Sequence, residues 1–132
     1  KVKKETEARG YTETFFGRRR YFQGINSQIP YIKAMAERMA VNAPIQGTEA
    51  DIIKLAMIEI DHFITEKNLG SKTYPLLQVH DELVYEVAEA DAEEFTKKAK
   101  RIMENIVMPE KIGGITLVAE GSIGSNWAEL KS

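Results

Sequence analysis

The sequence contains no cysteine, which excludes a disulfide framework and any thiolate metal site. That suits a reducing cytoplasm, the location expected here. No apolar run approaches the ~18–20 residues of a membrane span, and no charged-then-apolar secretion signal opens the chain. No membrane partner is therefore expected. Histidine occurs only at positions 62 and 80, too sparsely for a histidine-built metal centre. A positive charge excess, usual in generic nucleic-acid-binding modules, is also missing: 18 Lys and Arg stand against 20 Asp and Glu, a net charge of −2.

What is present fits one small domain. The chain has 132 residues, 43% hydrophobic and 29% charged, enough for one core. Its charge is unevenly spread. Residues 1–47 hold nine Lys/Arg and four Asp/Glu (+5), and residues 48–132 hold nine and sixteen (−7). A basic first third before an acidic remainder is compatible with a DNA-facing edge on a solvated body. Chance asymmetry in a small chain would look the same. Lys1 stands where a Met would open a complete chain, and Lys1 to Gly10 reads as the end of a helix already under way. A fragment of a longer chain is expected.

The order of elements follows from patterning. Gly10 is placed to stop a charged helix over 1–9. Tyr11 to Phe16 and Tyr21–Phe22 flank Gly17 and three arginines, which predicts a short hairpin. Asn26 or Ser27 can cap a helix with Pro30 in its first turn, and Pro44 should end or kink that helix after Asn42. Thr48, with Asp51 three residues on, approximates a capping box for a second helix over 49–67, whose apolar face includes Ile52, Leu55, Ile60, Phe63 and Ile64. Two apolar runs flank His80-Asp81-Glu82, predicting strand, tight turn and strand. Asp91 should cap a helix to about 107, with Phe95, Ala99, Ile102 and Met103 on one face. Ile115 to Glu120 reads as a last strand. The fold class is α+β: an antiparallel sheet with amphipathic helices packed on one face.

The segment Gln78-Val-His-Asp-Glu-Leu-Val-Tyr-Glu86 carries the strongest chemical signal. Adjacent acids are unusual beside strands. Like charges so close repel unless solvent or a cation separates them, which makes a divalent metal a natural third member. A polar hairpin turn would also place Asp81 there. Arg38, Asn42 and Gln46 are spaced by four, so a helix would align them in one stripe, made approximate by Pro44. Their guanidinium and amides can donate to minor-groove acceptors shared by A·T and G·C pairs. A solvated polar face has the same pattern. Arg18-Arg19-Arg20, beside Phe15, Phe16, Tyr21 and Phe22, can contact phosphates; it can equally form a charged turn paired with acids. The sequence leaves its role open.

Four collinear blocks resemble family A DNA polymerases, and the resemblance covers essentially the whole chain. They are Gly10-Tyr-Thr-Glu-Thr-Phe-Phe-Gly-Arg-Arg-Arg20, Ala36-Glu-Arg-Met-Ala-Val-Asn-Ala-Pro-Ile-Gln-Gly-Thr-Glu-Ala-Asp51, the His80-Asp81-Glu82 turn, and Gly121-Ser-Ile-Gly-Ser-Asn-Trp127. The family usually has alanine where this chain has Glu49, a departure of little weight because an acid suits a first helical turn. The resemblance implies the C-terminal part of a palm subdomain, residues 1–132, with Mg²⁺ as cofactor. Its partners would be primer–template DNA, deoxynucleoside triphosphates and the remainder of the polymerase chain. Asp81 then matches the metal-binding aspartate of motif C and Glu82 its secondary neighbour. His80 matches a histidine close to the primer end, and Arg38, Asn42 and Gln46 match contacts to the duplex near the insertion site. The implied activity is template-directed nucleotidyl transfer in DNA replication and repair.

The second catalytic aspartate of motif A and the nucleotide-holding fingers helix do not occur in this sequence, and two-metal phosphoryl transfer needs ligands for both ions. The isolated chain is accordingly expected not to extend primers and to bind Mg²⁺ weakly. Two other classes compete. One is a binding module that kept a DNA-facing surface without catalysis, against which stands the retention of Asp81. The other is a metal-dependent hydrolase around His80, Asp81 and Glu82, for which further ligands are lacking.

Overall fold

The computed structural model describes every residue except 113, 115, 131 and 132. Its elements run α1 (Val2–Arg9), β1 (Tyr11–Glu13), β2 (Arg19–Tyr21), α2 (Pro30–Glu66), β3 (Thr73–Val79), β4 (Glu82–Val87), α3 (Ala92–Glu104) and the short α4 (Trp127–Leu130), with single 3-10 turns at Glu89–Asp91 and Pro109–Ile112. The class is α+β, as the patterning predicts. The chain divides into two compact units, Lys1–Asp51 and Ile52–Ser132. Among the described residues no helix is long and apolar enough to cross a membrane.

In the first unit, α1 stops where glycine allows it to. Gly10 takes φ 78°, and its N–H donates to the Thr6 carbonyl at 2.6 Å, a left-handed closure that other residues adopt only at a cost. β1 and β2 pair antiparallel with Tyr11 opposite Tyr21 and Glu13 opposite Arg19. The Arg19 guanidinium donates to Glu13 at 2.9 Å and lies 4.6 Å from the centre of the Tyr11 ring. Bonding to Glu13 raises the pKa of Arg19. Phe22, Ile25, Ala36, Ala40 and Ala43 form the core of this unit. Small alanines on α2 let the loop carrying Phe22 and Ile25 sit close to the helix.

One expectation fails here. α2 continues through Pro44 to Glu66 instead of breaking into two helices, and Thr48 is an interior residue and no N-cap. A proline in a helix interior removes one N–H and costs ~3 kcal/mol. Burial of Ala40 and Ala43 beside the proline offsets part of that. So does a relay of bonds from the hairpin: Thr48 Oγ1 donates to the Pro44 carbonyl at 2.6 Å and accepts from the Phe15 N–H at 3.0 Å. Such ties are tertiary and invisible to a local reading of Pro44.

In the second unit, α2 ends as its sequence suggests. Asn68 adopts φ 53°, its N–H donates to Thr65, and the Leu69 N–H donates to Ile64 at 2.9 Å. This paired closure satisfies the last carbonyls of the helix, and Leu69 covers the end. Ile60, Ile64 and Phe95 are the buried centre, with Phe63, Leu69, Leu83, Tyr85, Val87, Ala99, Ile102 and Met103 packed around them. Leu83, Tyr85 and Val87 alternate along β4, so one face of the β3–β4 hairpin rests on α2 and α3. Burial raises the pKa of the Tyr85 hydroxyl, helped by the negative charge of Asp61. The stability this contributes is complete below the ordinary tyrosine pKa near ~10 and is lost as pH climbs through the raised value.

β3 is irregular. Pro75 pairs with Tyr85 and Leu77 with Val84, leaving Leu76 as an extra residue in a bulge. Asp91 stands at the N-terminus of α3 but makes no capping bond from its side chain; the preceding 3-10 turn delivers the chain into the helix instead. The last predicted strand is also corrected. Residue 115 lies outside the described residues, and 116–120 form no strand.

Candidate functional site

The candidate residues fall on two elements, one in each unit. In the second unit, β3 and β4 are joined by a two-residue turn, His80-Asp81, with Val79 paired to Glu82. A strand pair anchored on Ile60, Ile64 and Phe95 thus holds the two carboxylates at the tip of a hairpin. Asp81 and Glu82 are both exposed. Glu82 lies one residue from Leu83, so it points away from the packed face. Gln78 Nε2 donates to the His80 carbonyl at 2.9 Å and steadies the turn.

His80 takes φ 53°. The left-handed region costs a side chain other than glycine about 1–2 kcal/mol, and such conformations concentrate at functional sites. Glycine would fit the turn better, so histidine is held there against local preference. His80→Gly should stabilise the chain by about 0.5–1 kcal/mol, the relieved strain less the added freedom of the unfolded chain. Urea unfolding of the two proteins checks this; a destabilised His80→Gly variant would show that the imidazole makes a stabilising contact outweighing the strain.

Among the described residues no group of three or more His, Cys, Asp or Glu is arranged to hold a metal ion. Asp81 and Glu82 offer hard oxygen donors of the kind Mg²⁺ selects. They fit a partial coordination set, which other groups must complete.

In the first unit, Arg38, Asn42 and Gln46 lie on α2, all exposed. Because α2 runs unbroken past Pro44, the three form a continuous stripe, where the sequence suggested only an approximate one. Ala36, Ala40 and Ala43 occupy the buried side. No side-chain hydrogen bond or ion pair to another described residue engages the stripe, so its donors are available to a ligand.

The structure divides the arginine run. Arg18 Nε donates to Asp51 Oδ1 at 2.7 Å and its Nη2 to the Gly47 carbonyl at 3.2 Å. Arg19 is bound to Glu13, and the Arg20 guanidinium lies 5.2 Å from the centre of the Phe22 ring. Sequence reasoning missed the pairing of Arg18 with Asp51. Thr48 and Asp51 were legible only as a capping box, because residues at i and i+3 suit either role.

Residues 1–129 match the family described as DNA polymerase family A, and the chain belongs to that family. Over 121 residues it is 42% identical to DNA polymerase I of Rhizobium leguminosarum, covering 92% of this chain and 12% of the relative. It is 45% identical over 127 residues to the thermostable DNA polymerase I of Thermus filiformis, covering 96% and 14% respectively. Among solved structures it resembles the POL domain of Pol1 from M. smegmatis in complex with DNA primer-template and dNTP. The TM-score is 0.77 at 43% identity, covering 81% of this chain and 18% of that one. The chain thus spans about one eighth to one seventh of these curated relatives.

Proposed function

We propose that this chain is the C-terminal part of a polymerase palm and acts, within a longer cytoplasmic chain, in template-directed DNA synthesis from deoxynucleoside triphosphates during replication and repair. The observation that carries the reading is the pair of exposed carboxylates, Asp81 and Glu82, at the tip of a packed hairpin in a chain of this family. The solved relative bound to primer-template and dNTP supports the choice of partners.

In this reading Asp81, seconded by Glu82, would hold Mg²⁺ together with ligands from outside this segment, since two carboxylates offer only part of the oxygen set that Mg²⁺ selects. When bound, Mg²⁺ supplies positive charge that favours a nucleophilic primer hydroxyl and a departing pyrophosphate. The chain's own residues place groups. The short turn fixes both carboxylates on a rigid mount, and His80 lies beside the primer end. Arg38, Asn42 and Gln46 donate to minor-groove acceptors that every base pair presents, gripping any sequence while registering pair geometry.

Gln46→Ala tests the grip in a full-length polymerase carrying this sequence. The lost hydrogen bond is worth on the order of 1 kcal/mol, and the expected result is poorer extension from mismatched primer ends with matched ends less affected. Single-turnover incorporation on both primers measures it. Unchanged extension on both would remove Gln46 from the duplex contact.

A further inference from the structure

We infer that Arg18 is a positioning residue for Gln46, acting by clamping the β1–β2 turn onto the turn of α2 that follows Pro44. The inference rests on the reading above, in which Gln46 touches the duplex. Three observations converge on this one helical turn. Arg18 reaches it twice, at the Gly47 carbonyl and at Asp51. Its planar fork can hold both acceptors, which a lysine cannot do in the same way. Thr48, two residues beyond Gln46, takes the Phe15 N–H and passes a bond back to Pro44. Gly47 permits the approach, because a Cβ there would stand 2.7 Å from the Thr14 methyl.

Proline leaves its helix one N–H short at the turn before Gln46, so this stretch of α2 is where its own ladder is weakest. The hairpin supplies bonds from outside the helix at that place. Gln46 and Arg18 also border the same pocket, of about 220 Å³, with Thr12, Thr14, Arg20 and Gly47. Gln46 makes none of these bonds itself. Its direction is set by a helical turn whose next two residues, Gly47 and Thr48, are held by the hairpin. The Arg18 side chain is half exposed whereas that of Asp51 is 11% exposed, so the clamp is anchored at its helical end.

The test is a double-mutant cycle in a full-length polymerase carrying this sequence, combining Arg18→Ala or Arg18→Lys with Gln46→Ala. The readout is single-turnover extension from matched and mismatched primer ends, with primer–template affinity and thermal unfolding measured alongside. Gln46→Ala should lower mismatch extension by about fivefold, the factor for one neutral hydrogen bond. Arg18→Ala should lower it in the same direction by a smaller factor, Arg18→Lys should restore it incompletely, and neither should add a further effect once Gln46 is alanine. If Arg18→Ala instead weakens DNA binding in both backgrounds and flattens its salt dependence by about one unit, Arg18 contacts a phosphate directly and the inference is wrong. It is equally overturned if Arg18→Ala lowers the unfolding temperature and slows both kinds of extension alike, a purely structural role. A silent Gln46→Ala variant would mark the failure of the underlying reading, separately from that of the clamp.

Discussion

In a full-length polymerase carrying this sequence, Asp81→Asn should lower the rate of the chemical step by roughly 10²-fold or more while leaving primer–template affinity nearly unchanged. The substitution keeps the size and shape of a side chain that is exposed at a hairpin tip, so no packing is disturbed. On the proposed reading, what disappears is a negative charge that holds a cation as the phosphoryl group transfers. Several kcal/mol of stabilisation confined to the transition state appear in the rate and not in binding. Glu82→Gln should have a smaller effect, because the proposed primary ligand is Asp81. Rapid-quench incorporation and equilibrium DNA binding separate the two quantities. Near-normal chemistry in the Asp81→Asn enzyme would mean that the carboxylate that matters lies elsewhere.

Phe95→Ala should lower activity by a different route, through stability. Phe95 is buried on α3, with its ring centre 5.2 Å from that of Tyr85 and 6.3 Å from that of Phe63. Truncating such a ring costs about 3–5 kcal/mol, from lost transfer free energy and the cavity left behind. Set against the ~5–15 kcal/mol that stabilises a typical domain, that loss is about a fifth or more of the total. Tyr85 sits on β4 two residues from Leu83 and three from Glu82, so the loosened packing lies directly under the hairpin that carries the carboxylates. Denaturant unfolding should show a lower midpoint, and hydrogen exchange should quicken in β4 and α3. Asp81→Asn should show neither change. A Phe95→Ala protein with an unaltered midpoint would mean that the ring is not part of a cooperative core.

The sequence made legible what depends on neighbours in the chain. Gly10 reads as a helix stop because only a residue without a Cβ takes φ 78° freely. The turn at His80-Asp81 reads as a turn because apolar runs flank it. The face formed by Phe95, Ala99, Ile102 and Met103 reads as a helix because its period is helical. Contacts distant in sequence stayed hidden. Pro44 was read by its local rule, whereas the structure sustains the helix with bonds from Phe15 and Thr48, 33 residues apart. The exchange between Arg18 and Asp51 likewise spans 33 positions, and no local pattern distinguishes it from a capping acid. The backbone of His80 was unreadable for another reason: a histidine names no φ, and glycine would have been the expected residue. Within each unit, the candidate residues, Arg38, Asn42 and Gln46 in one and Asp81 and Glu82 in the other, could be proposed from the sequence, but not the supports beneath them.

The bulge at Leu76 bears on how the protein behaves in concentrated solution. Tyr74, Leu76 and Leu77 are all exposed, and a flat strand bearing such side chains would invite another copy to add itself along its edge. Pro75 has no N–H to offer that copy. The extra residue beside it twists the strand and interrupts the even spacing of donors that an incoming strand must match. Regular pairing is confined to short runs on either side, too brief to nucleate a growing sheet. An apolar surface can therefore stay exposed without acting as a seed for aggregation.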